Sequence, residues 1–402
     1  MEMLLQALLP SKPAVPVIHV AGTNGKGSIC AMLESVLRHA GYRTGLYTSP
    51  FLQVYQERIR LDGKPISDAL MEKYGTPLVK AYEKLQAQGV TATPFELGTA
   101  LALSAFEGEK VDFAIVEVGL GGRLDPTNIV SPILCGIAAI GRDHMQFLGD
   151  TVEEIAAEKA GIIKENVPVV CHPAVPSVAA VFRRTAEEKH APLTQLHYGM
   201  LGDAAYGLRG STADFILSRP YEDVSVSLPG EHQLTNTLTV VAMVEQLRAQ
   251  GYEITDEALR EGLQNTHWPA RLEWCGNILI DGAHNQQGIA ALRKFVQSQL
   301  AGKKRVLVTG ILTEKVTDAM LGDLCAIADT AVTVTPDTPR AMEAADYAAL
   351  LRKAGISAEP ADNVTEALEK AAALAGDEGI IVASGSLYFA GMVRNALHLN
   401  AI

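Results

Sequence analysis

Short apolar runs alternate with amphipathic stretches along most of this chain. In its first part, the runs VPVIHV, YRTGLYT, VDFAIVEVG and ILCGIAAIG predict strands. The apolar spacing over 27–39, directly after the first run, predicts a helix. Strands that alternate with helices in this way predict a parallel sheet covered by helices.

A second set of strands and helices begins near Glu273. Its predicted strands are NILIDG, KRVLVTG, DTAVTVT and EGIIVASG, and 288–299 and 341–354 predict two of its helices. Between the two sets, Pro269 interrupts the polar stretch QNTHWPARLEW. We therefore expect an α/β fold of two domains: 1–268 with a mostly parallel sheet, and a smaller, Rossmann-like α/β domain over 269–402.

Composition narrows the class of protein. The chain of 402 residues has 34 Lys and Arg against 46 Asp and Glu, a net charge of −12, and no basic stripe. We therefore expect no nucleic-acid partner. No apolar segment reaches the roughly 18 residues of a membrane span. The five cysteines are far apart and never form a CxxC pair, which argues against a disulfide framework or a zinc site. We expect a cytoplasmic monomer.

The sharpest motif is AGTNGKGS, over 21–28, between the first predicted strand and the first predicted helix. A glycine-rich turn that opens a helix presents backbone N–H groups to an anion, and Lys26 adds a cation. The match to GxxxxGK[ST] is incomplete, since Val20 takes the first glycine position and Gly27 separates Lys26 from Ser28. The motif predicts a phosphate site in a P-loop ATPase-like domain, and the alternative is a glycine-rich turn with a solvated lysine.

Two further segments carry candidate chemistry. Glu117 ends an apolar strand of the predicted sheet, where a carboxylate can reach a metal on bound phosphates. Asp143 and His144 also follow an apolar strand, and Lys159 lies on the next predicted helix. Taken alone, His144 is typical of a structural histidine, and Lys159 beside Glu158 is typical of a surface ion pair.

These segments together resemble a known family, the folylpolyglutamate synthases. This family includes dihydrofolate synthases and belongs to the Mur ligase superfamily of ATP-dependent amide ligases. The resemblance runs from about Val17 to Arg394, in the order and rough spacing of the family. It rests on GTNGKGS, TSPFL with ERIRLDGKPIS, TPFE, EVGLGGRLDPTN, DHMQFLG with EKAGIIK, LPGEHQLTN, WPARLE, DGAHN and SGSLYFAG.

The resemblance implies roles for individual residues. The implied ATP contacts are Thr23, Asn24, Gly25, Lys26, Gly27 and Ser28 in the loop, with Asn236, Arg271 and Asp281 beyond it. Arg271 is expected to reach the γ-phosphate from across the domain boundary. The implied ligands of two Mg²⁺ are Ser49, Glu117, His144 and Lys159 as a carbamate. Walker-type logic alone would place Ser28 on the metal, and the family pattern assigns Ser49 instead.

The resemblance also implies the substrates: ATP, L-glutamate and either a folate or dihydropteroate. The implied pterin side is Thr93, Pro94, Phe95 and Glu96, with Arg123, Leu124 and Asp125. His284 is a candidate catalytic residue and Ser386 a candidate substrate contact, both on the glutamate side. Without the resemblance, Asn236 fits a capping residue, Arg271 a partner of Glu273, and Asp281 a turn residue.

Four departures from the family pattern stand out. Only 21 residues precede Gly22, fewer than is usual in the family. Phe51 stands where many relatives have His, and Val316 follows Lys315 where the common segment is Asp-Lys-Asp. Pro126 replaces Ala in the loop LDPTN and removes an N–H donor.

The expected activity is ATP-dependent ligation of L-glutamate to the terminal carboxylate of a folate through an acyl phosphate, releasing ADP and phosphate. Because of Pro126, we expect dihydropteroate to be a weaker substrate than a reduced folate. Two other classes of protein stay open. A nucleotide-binding regulatory module could keep the phosphate loop without ligation, and an oxidoreductase would fit the two α/β domains but lacks GxGxxG.

Overall fold

The computed structural model describes residues 1–9 and 14–401. The helices α1 to α14 span, in order, Glu2–Leu8, Lys26–His39, Asp68–Gln86, Pro94–Gly108, Met145–Leu148, Val152–Ala160, Pro176–Glu188, Glu231–Ala249, Asp256–Gln264, Gln286–Gln299, Asp318–Ile327, Ala344–Ala354, Val364–Ala375 and Leu387–Ala396. Single 3₁₀ turns lie at Tyr55–Arg58, Pro126–Ile129, Tyr198–Met200 and Thr313–Lys315.

The strands form three sheets in the described residues. The strands β1 to β17 span, in order, Val17–Ala21, Thr44–Tyr47, Ile59–Leu61, Lys64–Pro65, Phe113–Glu117, Pro132–Ile137, Val169–Cys171, Leu193–Gln195, Leu201–Gly207, Gly210–Ile216, Pro220–Val226, Glu273–Cys275, Ile278–Ile280, Arg305–Thr309, Thr330–Thr333, Ser357–Pro360 and Ile380–Ser384.

The first sheet has the order β4-β3-β2-β5-β1-β6-β7-β8. Its strands pair in parallel from β2 to β8, and only the β2-β3 and β3-β4 pairs are antiparallel. Strands β1 and β5 are buried along their whole length because helices cover both faces of the sheet. The parallel order brings the carboxyl ends of β1, β2, β5 and β6 to one edge, where ligands bind in such sheets.

Helix α2 is buried over 28–37 because it lies between this sheet and the helices α8 and α9. The same core includes apolar residues of a three-stranded antiparallel sheet with the order β11-β10-β9. The opposite face of the large sheet packs on α1, α3 and α4 at one end and on α6 and α7 at the other. Helix α2 is thus held firmly, and the glycine-rich loop before it is fixed by its two ends.

The third sheet has the order β12-β13-β17-β14-β15-β16 and is parallel except at the β12-β13 pair. Helices α10, α11 and α12 cover one face, and α13 and α14 cover the other. The expected α/β fold, with a large, mostly parallel sheet and a separate C-terminal α/β sheet, is therefore confirmed. The boundary between 268 and 269 stays a prediction. No helix in residues 1–9 and 14–401 is both long and apolar enough to cross a membrane.

Candidate active site

The glycine-rich loop after β1 closes around its own lysine. Lys26 begins α2, and its Nζ donates to the carbonyl oxygens of Gly22 at 3.0 Å and Thr23 at 3.2 Å. The N–H of Thr23 donates to the carbonyl of Ala139, which follows β6, and the hydroxyl of Thr23 contacts the backbone of Gly141 at 3.1 Å. The loop is therefore braced between β1 and β6, with the N-terminus of α2 available to an anion.

Close neighbours leave little or no room for a side chain at two glycines of this loop. Gly25 has a φ of +88° and a side chain there would overlap the amide of Asn236 on α8. A Cβ at Gly27 would lie 3.0 Å from Nε1 of Trp268. The expected nucleotide contact Asn236 therefore lies directly against the loop, and the cap role considered for it does not apply because α8 begins at Glu231.

Ser28 and Ser49 have different surroundings. Ser28 is buried, and its Oγ accepts from the amide of Gln233 at 3.2 Å. Ser49 lies in the cleft between the two large sheets, and its N–H donates to Oε2 of Glu117 at 2.9 Å. The cleft also contains Gly27 and Arg271. This arrangement favours Ser49 over Ser28 as a group that reaches a metal on bound phosphates.

Glu117 is a buried carboxylate at the carboxyl end of β5. Burial raises the pKa of Glu117, and the charges of Lys26 and Arg271 and the N–H of Ser49 oppose that shift. The carboxylate thus faces cations from both halves of the cleft. A divalent cation is the further partner that would stabilise its charged form.

Lys159 is buried, with only 4% of its surface exposed, although Glu158 beside it forms an ion pair with Arg123 at 2.8 Å. Burial, followed by the charge of Lys26, lowers the pKa of Lys159 to about 7. His144 is the N-cap residue of the short helix α5, and burial lowers its pKa as well, with Asp143 opposing. The surface ion pair considered for Lys159 is therefore wrong.

The expected Mg²⁺ site is not built from carboxylates, histidines and cysteines alone. No group of three or more His, Cys, Asp or Glu side chains in the described chain is arranged to hold a metal by itself. The expected set differs, because Ser49 supplies a hydroxyl and Lys159 becomes an oxygen ligand only once carbamylated. A neutral, buried amine is the form that reacts with carbon dioxide, so these residues fit Mg²⁺ in that modified state.

An interdomain cluster surrounds Asp143, which is half of the DH pair after β6. Its carboxylate forms an ion pair with Lys315 of the C-terminal sheet domain and accepts from Asn285 at 3.1 Å. Asn285 also donates to Oδ1 of Asn24 in the phosphate loop at 2.9 Å. Although burial opposes the shift, Lys315 holds the pKa of Asp143 well below its usual range. Asn285 and Lys315 were not among the predicted site residues, and Asp143 was named only as the neighbour of His144.

Arg271 and Asp281 lie at the start of the C-terminal sheet. Asp281 is buried and accepts from the N–H groups of Leu272 and Ala283, each at 2.9 Å. Burial lowers the pKa of Arg271, and the charges of Asp281 and Glu117 oppose this shift. Arg271 therefore does not pair with Glu273, whose ion-pair partner is Arg394.

The two glutamate-side candidates have distinct surroundings. His284 contacts the carbonyl of Gly282 through Nδ1 at 2.9 Å, and its Nε2 lies 3.9 Å from Asp143. Its desolvated position lowers the pKa of His284 to about 4, so the imidazole is neutral at pH 7. Ser386 is buried as the N-cap of α14, accepting from the N–H of Phe389 and donating to the carbonyl of Gly310, each at 3.1 Å.

The predicted pterin side lies at the start of α4 and in the loop after β5. Thr93 is the N-cap of α4, with Pro94 in its first turn and Glu96 closing a capping box. The Phe95 ring lies 5.9 Å from that of Tyr47 and fills the space beside the backbone of Gly119. These contacts place an aromatic surface next to the loop that follows Glu117.

Asp125 is engaged by the protein itself. Its carboxylate accepts from the N–H of Leu120 at 2.8 Å, and from the N–H and hydroxyl of Thr127 at 2.9 and 2.5 Å. Pro126 occupies the first position of the 3₁₀ turn, where an N–H has no partner within the turn. Leu124 is 77% exposed beside it. The loop conformation is therefore set by Asp125, and the donor that Pro126 lacks is one the turn does not use.

The loop of residues 49–58 connects the two halves of the cleft. Gln53 donates to Asn395 Oδ1 and to the carbonyl of Leu399, both at 2.8 Å. The backbone of Leu52 approaches α14 so closely that any side chain at Gly391 would overlap its carbonyl oxygen. The glycine of SGSLYFAG thus permits the docking of a loop that lies far away in sequence.

Replacement of that glycine is expected to move the 49–58 loop. Gly391→Ala should destabilise the protein by about 1–3 kcal/mol through overpacking and reduce kcat/KM, since Ser49 is in the same loop. Gly322→Ala in α11 is the matched control: nothing lies within 4 Å of its Cβ position, and Ala there should stabilise by up to about 1 kcal/mol. Thermal unfolding and steady-state kinetics of the two variants test this. An unchanged Tm for Gly391→Ala would contradict it.

The comparisons with known proteins first define the class. The Mur ligase middle domain model matches residues 20–244, and the model of the Mur ligase glutamate ligase domain matches residues 270–387. The chain is 38% identical to a dihydrofolate synthase/folylpolyglutamate synthase of Bacillus subtilis, over 99% of this chain and 94% of that protein. It is 36% identical to a folylpolyglutamate synthase of Lacticaseibacillus casei, over 98% of this chain and 92% of that one.

Solved structures agree with this class. A Mycobacterium tuberculosis folylpolyglutamate synthase complexed with ADP superposes with a TM-score of 0.93 at 30% identity, covering 100% of this chain and 94% of that one. An Escherichia coli FolC in complex with DHPP and ADP gives a TM-score of 0.86 at 29% identity, covering 98% and 91%. The chain belongs to the folylpolyglutamate synthase and dihydrofolate synthase family of Mur ligases.

Proposed function

We propose that this chain is an ADP-forming ligase that joins L-glutamate to the terminal carboxylate of a folate. The observation that carries the proposal is the cleft, in which the phosphate loop, Ser49 and Glu117 face Arg271 from the C-terminal sheet domain. Relatives of this family are named as folylpolyglutamate and dihydrofolate synthases, and one neighbour was solved with DHPP and ADP. The cytoplasmic location and the monomeric state stay predictions.

The proposed first step transfers the γ-phosphoryl group of ATP to the folate carboxylate, which gives an acyl phosphate. Lys26 exchanges its two backbone carbonyl partners for phosphate oxygens, and Arg271 approaches the γ-phosphate from the other side of the cleft. Asn236 lies against the loop and Asp281 beside Arg271, which suits them to the remaining nucleotide contacts. Phosphoryl transfer depends chiefly on such positioning and on charge neutralisation.

Two Mg²⁺ ions would be held by Ser49, Glu117, His144 and carbamylated Lys159. Bound there, they would neutralise charge on the phosphate oxygens. The residues at this edge fit that task because Glu117 is a buried carboxylate at the end of β5 and Lys159 is a buried amine.

In the proposed second step, the amine of glutamate attacks the acyl phosphate, and phosphate leaves with the bonding electrons of the broken C–O bond. The amine must lose a proton. His284 is the proposed acceptor, because its Nδ1 proton is directed to the carbonyl of Gly282 and its Nε2 keeps a lone pair. Ser386, in the same C-terminal domain, stays a predicted glutamate-side residue.

A matrix of substrates tests the proposal. Purified protein is incubated with ATP, L-glutamate and either tetrahydrofolate or dihydropteroate, and ADP and product masses are measured. We expect ADP release to require both glutamate and a folate, and the product to gain one glutamyl residue. Dihydropteroate is expected to turn over more slowly. ADP release that ignores glutamate would support a nucleotide-binding module instead.

A further inference from the structure

The side chain of Arg58 packs against two aromatic rings and forms no ion pair within the described part of the chain. Arg58 ends the 3₁₀ turn before β3, is only partly exposed, and its buried Nε has no acceptor. Within residues 1–9 and 14–401, its side chain forms no hydrogen bond or ion pair. Its guanidinium carbon lies 5.3 Å from the ring centre of Phe51 and 5.7 Å from that of Tyr55. These rings stabilise the cation and leave its N–H donors free.

The other cations near the cleft are occupied. Lys26 contacts carbonyls of its own loop, and Arg60 lies 4.8 Å from the Trp268 ring and near the carbonyl of Glu57. The remaining pairs are Arg123 with Glu158, Lys315 with Asp143, and Arg394 with Glu273. Arg271 has the charges of Asp281 and Glu117 beside it. The proposed function assigns Lys26 and Arg271 to the phosphates, so Arg58, which follows the cleft residue Glu57, is the cation left for a second anion.

The loop of residues 49–58, which ends with Arg58, lies between the phosphate end of the cleft and the start of α4. The charge of Arg58 acts on Glu117, which receives the N–H of Ser49. On the other side, the Tyr55 hydroxyl lies near α4, 2.6 Å from where a Cβ at Gly98 would stand. The Phe51 and Tyr55 rings are each 36% exposed. Residues 49–58, which include Arg58, thus lie between α4 and the phosphate end of the cleft.

From this juxtaposition we infer that Arg58 binds the carboxylate of the folate substrate that does not react. The inference rests on the proposed function. The terminal glutamyl unit of a folate has two carboxylates: one accepts the phosphoryl group and the other stays anionic. A protein with a net charge of −12 needs a placed cation to hold that second anion, and a guanidinium donates to a carboxylate with two parallel bonds.

The inference makes Arg58 a determinant of substrate choice. Dihydropteroate has a single carboxylate, and that carboxylate is the one that reacts. It therefore offers no second anion to Arg58. Arg58 favours substrates that already have a glutamyl unit, independently of the loop that contains Pro126.

The test crosses a protein variant with a substrate variant. Arg58→Gln and wild type are each assayed with tetrahydrofolate and with an analogue whose non-reacting carboxylate is a primary carboxamide. We expect Arg58→Gln to raise the KM for tetrahydrofolate about tenfold or more, since a charged hydrogen-bonded pair is lost, with kcat changed much less. The carboxamide analogue should raise the KM of wild type by a similar factor. When Arg58→Gln is assayed with the analogue, the KM should be little higher than with either change alone.

Two further variants control the test. Arg184→Gln removes an exposed arginine of α7 and should leave both KM values unchanged. Arg58→Lys keeps the charge but not the paired donors, so its KM should fall between wild type and Arg58→Gln, and it serves where Arg58→Gln does not fold. Fully additive effects of variant and carboxamide would overturn the inference. Absence of folate turnover by wild type would instead reject the proposed function, and the inference with it.

Discussion

Lys26→Ala is expected to reduce turnover by about 100- to 1,000-fold or more, the usual effect of removing a donor that stabilises developing charge. In the structure, the Lys26 ammonium donates to two carbonyls of its own loop, those of Gly22 and Thr23. The fold does not depend on these contacts, because α2 is held by its apolar face between the sheet, α8 and α9. The variant should therefore fold and lose chemistry.

The measurement for Lys26 combines three readouts. Circular dichroism and Tm report the fold, ADP formation with saturating folate and glutamate reports turnover, and titration with a non-hydrolysable ATP analogue reports binding. Lys84→Ala, which removes an exposed lysine of α3, is the matched control and should behave as wild type. Wild-type turnover by folded Lys26→Ala would mean that the glycine-rich loop does not bind the transferred phosphate.

The phosphate loop and the two α/β sheets could be predicted because their signals are local. A strand, a glycine-rich turn and a helix follow each other within 17–39, and the buried parallel strands are continuous apolar runs. The antiparallel sheet β9-β11 was not predicted. Its strand Leu201–Gly207 has no buried residue, so it lacks the alternation that reveals a strand.

The interdomain contacts could not be found from local sequence. Asp143 pairs with Lys315, which is 172 positions away, and Asn24 meets Asn285 across 261 positions. No periodicity links such residues, since only the packing of the C-terminal sheet domain brings them together. Asp125 is a different case, because its position was predicted and its hydrogen bonds were not. Its place in the loop was recognised, but its oxygens are already bonded to Leu120 and Thr127, which no spacing reveals.

Lys159 gives the second large effect, because its amine is expected to be carbamylated. The reaction joins the neutral amine to carbon dioxide and releases one proton to solvent, converting the amine into an anion with two oxygens. Lys159 is 4% exposed, faces the charge of Lys26, and has a pKa lowered to about 7 by burial. The neutral form is therefore abundant at pH 7 to 8, and carbamylation should increase as the pH rises through that range.

Enzyme equilibrated with ¹³C-bicarbonate at pH 8 should show a carbamate carbon signal that Lys159→Ala lacks. Lys164→Gln is the control for the signal, since Lys164 donates to the carbonyl of Asn128 and is not an expected ligand. Lys159→Ala should still bind ATP, because the phosphate loop is unchanged. Its turnover should fall about 100-fold or more, because one ligand of the metal site is lost. Wild type freed of carbon dioxide should lose activity and regain it on adding bicarbonate, whereas Lys159→Ala should not respond. A wild-type spectrum without the carbamate signal, from enzyme that is fully active, would show that Lys159 acts as a free amine and that the metal ligands must be sought elsewhere.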